Sequence, residues 1–400
     1  MIFSKIHRVI NQNEPISYSL LELSQYFFKL GYSGFGGPVA LVGYMHRDLI
    51  EQKKWISEED YKEGLALAQL APGPLAAQLA IYLGYVHYKI LGATIVGLAF
   101  VIPSFLMVIG LGVAYQHYGG LPWMQAVFYG ISAAVIGIIG FSSYKLANKS
   151  LGKDKWLWGL FALSFIGTIA TQSESVWFFL GAGVLYWFVK APPQYLTRFR
   201  ATQSILPFYP IFLQTTAAIS TDSVLWQIFL FFGKAGAFVF GSGLAIVPFL
   251  YSGTVKEYHW LNEQQFLDAV AVAMITPGPV VITVAFIGYL VAGFKGACVA
   301  AIATFLPCYI LTVLPAPYFK KYGKLSAIKA FVDGVTAAAI GAIAGAVVIL
   351  GMKSLIDIPT ILLAAATVFI LWKYTKVKEL YIILIAALIG FLLKFNFPNY

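Results

Sequence analysis

The groups best placed to do chemistry in this 400-residue chain are backbone amides exposed where apolar segments are interrupted. Four interruptions stand in the sequence: Gly34-Phe35-Gly36-Gly37-Pro38, Pro72-Gly73-Pro74, Gly241-Ser242-Gly243 and Pro277-Gly278-Pro279. Proline removes a donor and clashes with the preceding turn, and glycine tolerates reversal, so Pro-Gly-Pro cannot continue a regular helix. A broken helix presents free amides and a positive partial charge, which suits an anion. Lys29 and Lys234 are the charged residues close to the glycine breaks. Brought to one central site they would neutralise a dianion; the competing reading is that both snorkel to an interface. The hydroxyls of Ser33, Ser242 and Thr283 are further donors. Glu22 shares a helical face with Lys29, as Gln227 does with Lys234, because seven residues make nearly two turns. Glu63, Asp268 and Asp333 are carboxylates in or at the edge of apolar segments, which points to proton handling or to interfacial caps. Trp55-Ile56-Ser57-Glu58 and Trp260-Leu261-Asn262-Glu263 read as an interfacial Trp followed by a helix N-cap. His46, His87, His117 and His259 show no metal-ligand spacing, and Cys298 and Cys308 read as core residues, so no metal site is expected.

The elements that position these groups follow from composition and from an internal repeat. Hydrophobic residues make up 60% of the chain and charged residues 11%, against about 25% charged in a soluble domain. No Asp, Glu, Lys or Arg occurs from Ile90 to Tyr144, a stretch far longer than the roughly 20 residues one membrane span requires. The net charge of +10 resides in loops between apolar runs, as expected of a membrane protein and not of a nucleic-acid binder. No cleavable signal peptide is expected. A shift of 205 (234 − 29) superposes Lys29 on Lys234, Gly31 on Gly236, Trp55 on Trp260 and Pro72-Gly73-Pro74 on Pro277-Gly278-Pro279. After one deletion, Gly84-Tyr85 falls on Gly288-Tyr289, Pro103 on Pro307 and Lys149-Ser150-Leu151 on Lys353-Ser354-Leu355. The chain is a duplication.

Six apolar segments are expected per half, at 19–45, 62–87, 90–116, 123–146, 156–171 and 175–190, with counterparts at 224–250, 266–293, 296–319, 326–350, 358–372 and 379–394. The loop with Lys145, Lys149, Lys153 and Lys155 has a counterpart holding only Lys353. Conversely, Lys320, Lys321, Lys324 and Lys329, and Lys373, Lys376 and Lys378, lie in loops whose first-half counterparts have no Lys or Arg. Opposite bias in equivalent loops means opposite orientation. The expected fold is therefore an all-α polytopic membrane protein of two inverted-topology repeats with broken or re-entrant helices. Its parts are an N-terminal repeat (1–190), a cytoplasmic linker (191–222) and a C-terminal inverted repeat (223–400). Inversion requires an odd number of crossings per half. Segment two, interrupted by Pro-Gly-Pro, is accordingly expected to enter and return, leaving five crossings and both termini outside. Interrupted segments at matching positions of inverted halves point to a transporter site.

Taken in order and duplicated, Phe-Gly-Gly-Pro at 35–38, Trp55 through Glu58, Pro72-Gly73-Pro74, Phe-Gly-Ser-Gly at 240–243 and Pro277-Gly278-Pro279 resemble the chromate ion transporter family in its long-chain, two-domain form. The resemblance covers nearly the whole chain. It implies a bacterial cytoplasmic-membrane protein with antiparallel halves that exports chromate on the membrane potential or proton gradient, conferring chromate resistance. Leu41 and Leu244 depart from relatives that carry His shortly after the glycine cluster. The expected substrate-binding set is Lys29, Ser33, Gly36, Gly37, Pro72, Gly73, Pro74, Lys234, Gly241, Ser242, Gly243, Pro277, Gly278 and Pro279. Proton coupling is assigned to Glu22, Glu63, Asp268 or Asp333. Partners are chromate or sulfate and the lipid bilayer, with a homodimer left open and no nucleic acid; no cofactor is expected. A permease for sulfate or another oxyanion and an anion channel are the alternatives. No Walker sequence is present to hydrolyse ATP, and no His, Asp or Glu cluster suggests an intramembrane enzyme.

Overall fold

A capping box starts the first helix, α1 (Leu20–Ser33): Glu22 N donates to Ser19 Oγ, and Ser19 N donates to the Glu22 carboxylate. The computed structural model describes residues 18–35, 37–119, 121–171, 176–192, 224–238, 246–322, 326–374, 377 and 379–396, and these form helices without strands. Helix α1 ends at Gly34, and α2 (Gly37–Met45) continues through a wider helical turn over His46–Gln52. Tyr26 OH then donates to Asp48 Oδ2 at 3.2 Å, and Tyr18 stacks on Trp55 with ring centroids 5.0 Å apart. Along one straight helix, Tyr26 and Asp48 would lie about 33 Å apart. The first segment therefore folds back at its glycines, and the expectation of five crossings per half is corrected accordingly.

The second segment also folds back. Helix α3 (Glu58–Leu70) is capped by Ser57, and after Pro72-Gly73-Pro74 comes α4 (Leu75–Tyr118). Gly64 of α3 lies against the Tyr82 ring of α4, so the legs run antiparallel about the Pro-Gly-Pro tip. A leg of 13 residues spans about 20 Å, short of the roughly 30 Å hydrocarbon layer. Helix α4 reverses once more at Lys89 (φ 53, ψ −142), where the backbones of Gly84 and Gly92 touch. Residues 90–118 make the first full crossing, and α5 (Pro122–Leu151), α6 (Lys155–Thr171) and α7 (Val176–Lys190) complete the half.

The second half repeats the plan. Phe231 of α8 (Val224–Phe238) stacks on Phe249 of α9 (Val247–Tyr251) at 5.2 Å, closing its first hairpin. Helix α10 (Glu263–Ile275), the Pro277-Gly278-Pro279 turn and a short tight helix over Val280–Ile282 lead into α11 (Thr283–Val313), which reverses at Ala292–Gly293. Helices α12 (Ala316–Tyr322), α13 (Ser326–Ser354), α14 (Ile358–Lys373) and α15 (Glu379–Asn396) follow. Among the described residues, the stretches long and apolar enough to cross a membrane are Leu75–Tyr118, Pro122–Leu151, Val280–Phe319 and Ser326–Ser354.

Equivalent helices of the two halves run antiparallel. Thr94 Oγ1 meets Tyr309 OH at 2.7 Å, Phe105 meets Phe294 with centroids 6.4 Å apart, and Gly112 lies against Tyr289. Numbers rise along α4 as they fall along α11, the relation an inverted repeat requires. The halves also exchange their last helices: α5 packs on α14 and α15, whereas α13 packs on α6 and α7. The close approaches are equivalent, Gly130 on Ala386 and Gly334 on Ala182. Tyr129 OH of α5 donates to Asp357, the cap of α14, at 2.6 Å and so joins the two halves, whereas Tyr186 OH of α7 donates to Asp154 before α6 at 2.9 Å within the first half.

Tyr18, Trp55, His87 and Tyr88 meet at one end of the bundle. There α4 begins its crossing, α5 ends it, and Lys190 pairs with Asp154 at 2.7 Å. Lys53 lies over Trp55, Lys62 pairs with Glu58, and Lys149, Lys153, Lys155 and Lys190 flank Asp154 at this end, whereas Lys256 and Lys353 meet at Glu263 and Lys394 lies over Tyr129 toward the other. The positive-inside rule assigns the lysine-rich end to the cytoplasm. The first described residue, Tyr18, stands at that end, so the chain enters the bundle from the cytoplasmic side and not from outside. From residue 193 the linker lies outside the described residues. Its flanking helices end at opposite ends of the bundle, Lys190 beside Asp154 and α8 beside Trp260.

Candidate anion site at the hairpin tips

Hairpins entering from opposite ends meet inside the bundle. The Gly278 amide, at the tip of the α10–α11 hairpin, donates to the Gly34 carbonyl at the tip of the α1–α2 hairpin, 2.9 Å away. Ser104 of α4 donates to the Gly31 carbonyl at 3.1 Å. Gly278 has φ +98, and a Cβ there would overlap Ser104 Oγ and lie 3.1 Å from the Gly31 carbonyl oxygen. The other Pro-Gly-Pro tip is built alike. Gly73 has φ +141, and its Cβ would lie 2.7 Å from Gln78 Nε2 and 3.2 Å from Cys308 Sγ. Cys308 is the repeat equivalent of Ser104, so each tip presses on the crossing helix of the opposite half. Gln78 Nε2 donates to the Pro72 carbonyl at 2.8 Å, while its buried Oε1 has no partner among the described residues. Among the described residues no side chain caps the helix start after either Pro-Gly-Pro, so those first amides remain available to a ligand.

Between the Gly34 and Gly278 tips lies a cavity of about 20 Å³, lined by Gly34, Phe35, Gly37, Thr276, Gly278 and Glu379 among others. That volume holds about one water molecule, less than a tetrahedral oxyanion occupies, so admitting the ion requires the tips to part. Among the described residues, the wall apart from Glu379 is backbone, hydroxyl and apolar side chain. A model of the chromate transporter family matches residues 21–187 and again 226–391. The chain belongs to the chromate transporter family. It is 66% identical over 374 residues to a chromate transport protein of Cupriavidus metallidurans, covering 94% of this chain and 93% of that one. It is 62% identical over 377 residues to a probable chromate transport protein of Synechococcus elongatus, covering 94% and 95%. No solved structure matches it.

In this chromate-transporter chain the duplicated motif is a meeting of tips. Pro72, Gly73 and Pro74 form one tip; Pro277, Gly278 and Pro279 form the second and join Gly34 and Gly37 of a third. Gly36, Gly241, Ser242 and Gly243 lie outside the described residues. Lys29 and Lys234 are not drawn into the cavity; both are exposed on α1 and α8. Ser33 Oγ donates to the Lys29 carbonyl at 2.7 Å, and Thr283 Oγ1 to the Val280 carbonyl at 2.7 Å. Glu22 closes the α1 cap, and Glu63 lies beside Tyr82. Asp268, 3% exposed, accepts from Tyr115 OH at 2.6 Å and Gln264 Nε2 at 2.8 Å. Asp333 is half-buried on α13 near Tyr186 and Lys329, at the lysine-rich end. Glu379 is the group the sequence reading missed. It opens an apolar segment just after Lys376 and Lys378, a context that reads as interfacial, and only the exchange of α15 between halves brings it to the tips.

Proposed function

We propose that this chain carries chromate across the cytoplasmic membrane as a secondary active exporter, holding the ion between the hairpin tips of its two inverted halves. The supporting observation is the Gly278–Gly34 hydrogen bond. It joins broken backbone from both halves at one internal cavity, where uncapped helix starts supply donors to an anion. Glu22, Gln25, Lys29 and Ser33 form an exposed polar stripe along α1, about 16 Å long, running from the lysine-rich end toward the glycine break. Lys29 accordingly serves the approach of the ion and its counterpart Lys234 the exit, rather than clamping it at the centre. Sulfate, a tetrahedral dianion of the same charge, is the competing cargo.

Counterflow of labelled chromate in proteoliposomes tests the reading. A carrier accelerates uptake of label when unlabelled chromate is loaded inside. Uptake insensitive to internal chromate, with single-channel currents, would establish an anion channel instead. Competition by sulfate in the same assay ranks the two oxyanions.

A further inference from the structure

We infer that Glu379 is the proton-binding group of the tip site, and that one proton enters with each oxyanion; this rests on the proposed location of the site. Among the described residues, Glu379 is the titratable side chain lining the cavity between Gly34, Phe35, Gly37, Thr276 and Gly278. It stands at the first turn of α15, which α5 of the other half holds in place. Lys145, exposed on α5, lies within electrostatic reach of Glu379. The parts of α10 and of the tips that share the cavity, Met274, Thr276, Gly278 and Gly34, bear no charge. Lys145 thus offsets one negative charge while the cavity is free of anion. A dianion arriving beside the ionised carboxylate would bring three negative charges together in a region of low dielectric. Uptake of one proton by Glu379 from water removes that repulsion, and the neutral carboxyl becomes a donor to an oxyanion oxygen. Release of the ion returns the proton, so anion and proton travel as a linked pair of one net negative charge, whose outward movement the membrane potential drives. Asp268, by contrast, is enclosed by Tyr115 and Gln264 and is not among the cavity's lining residues.

Chromate binding to the purified full-length protein, in weakly buffered detergent solution at a pH where chromate itself is the dianion, reads this directly. The wild type should take up about one proton per chromate bound, and its apparent Kd should rise about tenfold per pH unit. Glu379→Gln should bind chromate with no proton uptake and a flat pH profile, and Glu379→Asp should restore both. Unchanged proton uptake in Glu379→Gln overturns the coupling role. If Gly278→Leu also leaves chromate binding unchanged, the site itself is misplaced; if Gly278→Leu abolishes binding, the site stands and the proton-binding group lies elsewhere.

Discussion

Replacing Gly278 with alanine adds one methyl group, and its effect follows from two features of the tip. At φ +98 an L-residue carries backbone strain of about 1–3 kcal/mol. The new Cβ also overlaps Ser104 Oγ and meets the Gly31 carbonyl oxygen at 3.1 Å, an overpacking cost of about 1–3 kcal/mol. Together roughly 2–6 kcal/mol act on the contact that shapes the cavity. At about 1.4 kcal/mol per tenfold change, chromate affinity should fall at least thirtyfold. Ser104→Ala removes the obstructing oxygen and alone costs only its bond to Gly31, about 1 kcal/mol. Combined with Gly278→Ala it should recover about tenfold of the lost affinity, because the overpacking is relieved while the backbone strain remains. Equilibrium dialysis of labelled chromate against the four proteins of this cycle gives the coupling energy. Strictly additive effects would refute the packing argument, and wild-type affinity in Gly278→Ala would remove the tip from the site.

Four further outcomes are expected. Lys29→Gln and Lys234→Gln should each weaken chromate transport about tenfold, equivalent to roughly 1.4 kcal/mol, chiefly through a higher half-saturation concentration, with Lys149→Gln as the unaffected control in vesicle assays. Lys89 holds φ 53 where its repeat equivalent is Gly293, so Lys89→Gly should raise stability by about 1 kcal/mol, read as a higher unfolding temperature in detergent. Asp154 is held at about 2, mainly by Lys190, with Tyr186 and the Trp156 amide. Its stabilising effect is therefore full above the ordinary carboxylate range, about 3.9, and is lost as pH falls toward 2; thermal unfolding of Asp154→Asn should lack that acid dependence. Single cysteines at Gly152 and Ile356 should label from opposite sides of the membrane.

The repeat, its inversion and the Pro-Gly-Pro tips were legible because each leaves a local mark: a matched residue, a lysine, a helix breaker. Ser57 and Asn262 do cap α3 and α10 as their spacing predicts. The fold-back of the first segment was not decided by Gly34–Pro38, since such a break equally permits a kink; the contact of Tyr26 with Asp48 decides it. The exchange of α6–α7 and α14–α15 between halves is a long-range choice made by small residues, Gly130 against Ala386 and Gly334 against Ala182, and no periodicity encodes a partner. Glu379 was hidden for the same reason. Lys29 and Lys234 sit near the breaks in sequence, yet Leu23, Phe27, Leu30 and Gly31 form the buried face of α1 and turn Lys29 outward.

The central claim is that the oxyanion lies between the tips of the two inverted halves. Anomalous diffraction at the chromium edge from crystals grown with chromate locates the ion directly. The account predicts one peak within hydrogen-bonding distance of backbone between Gly34–Gly37 and Thr276–Val280. A peak absent there and present beside a lysine pair away from the tips, such as Lys256 and Lys353 around Glu263, would contradict it.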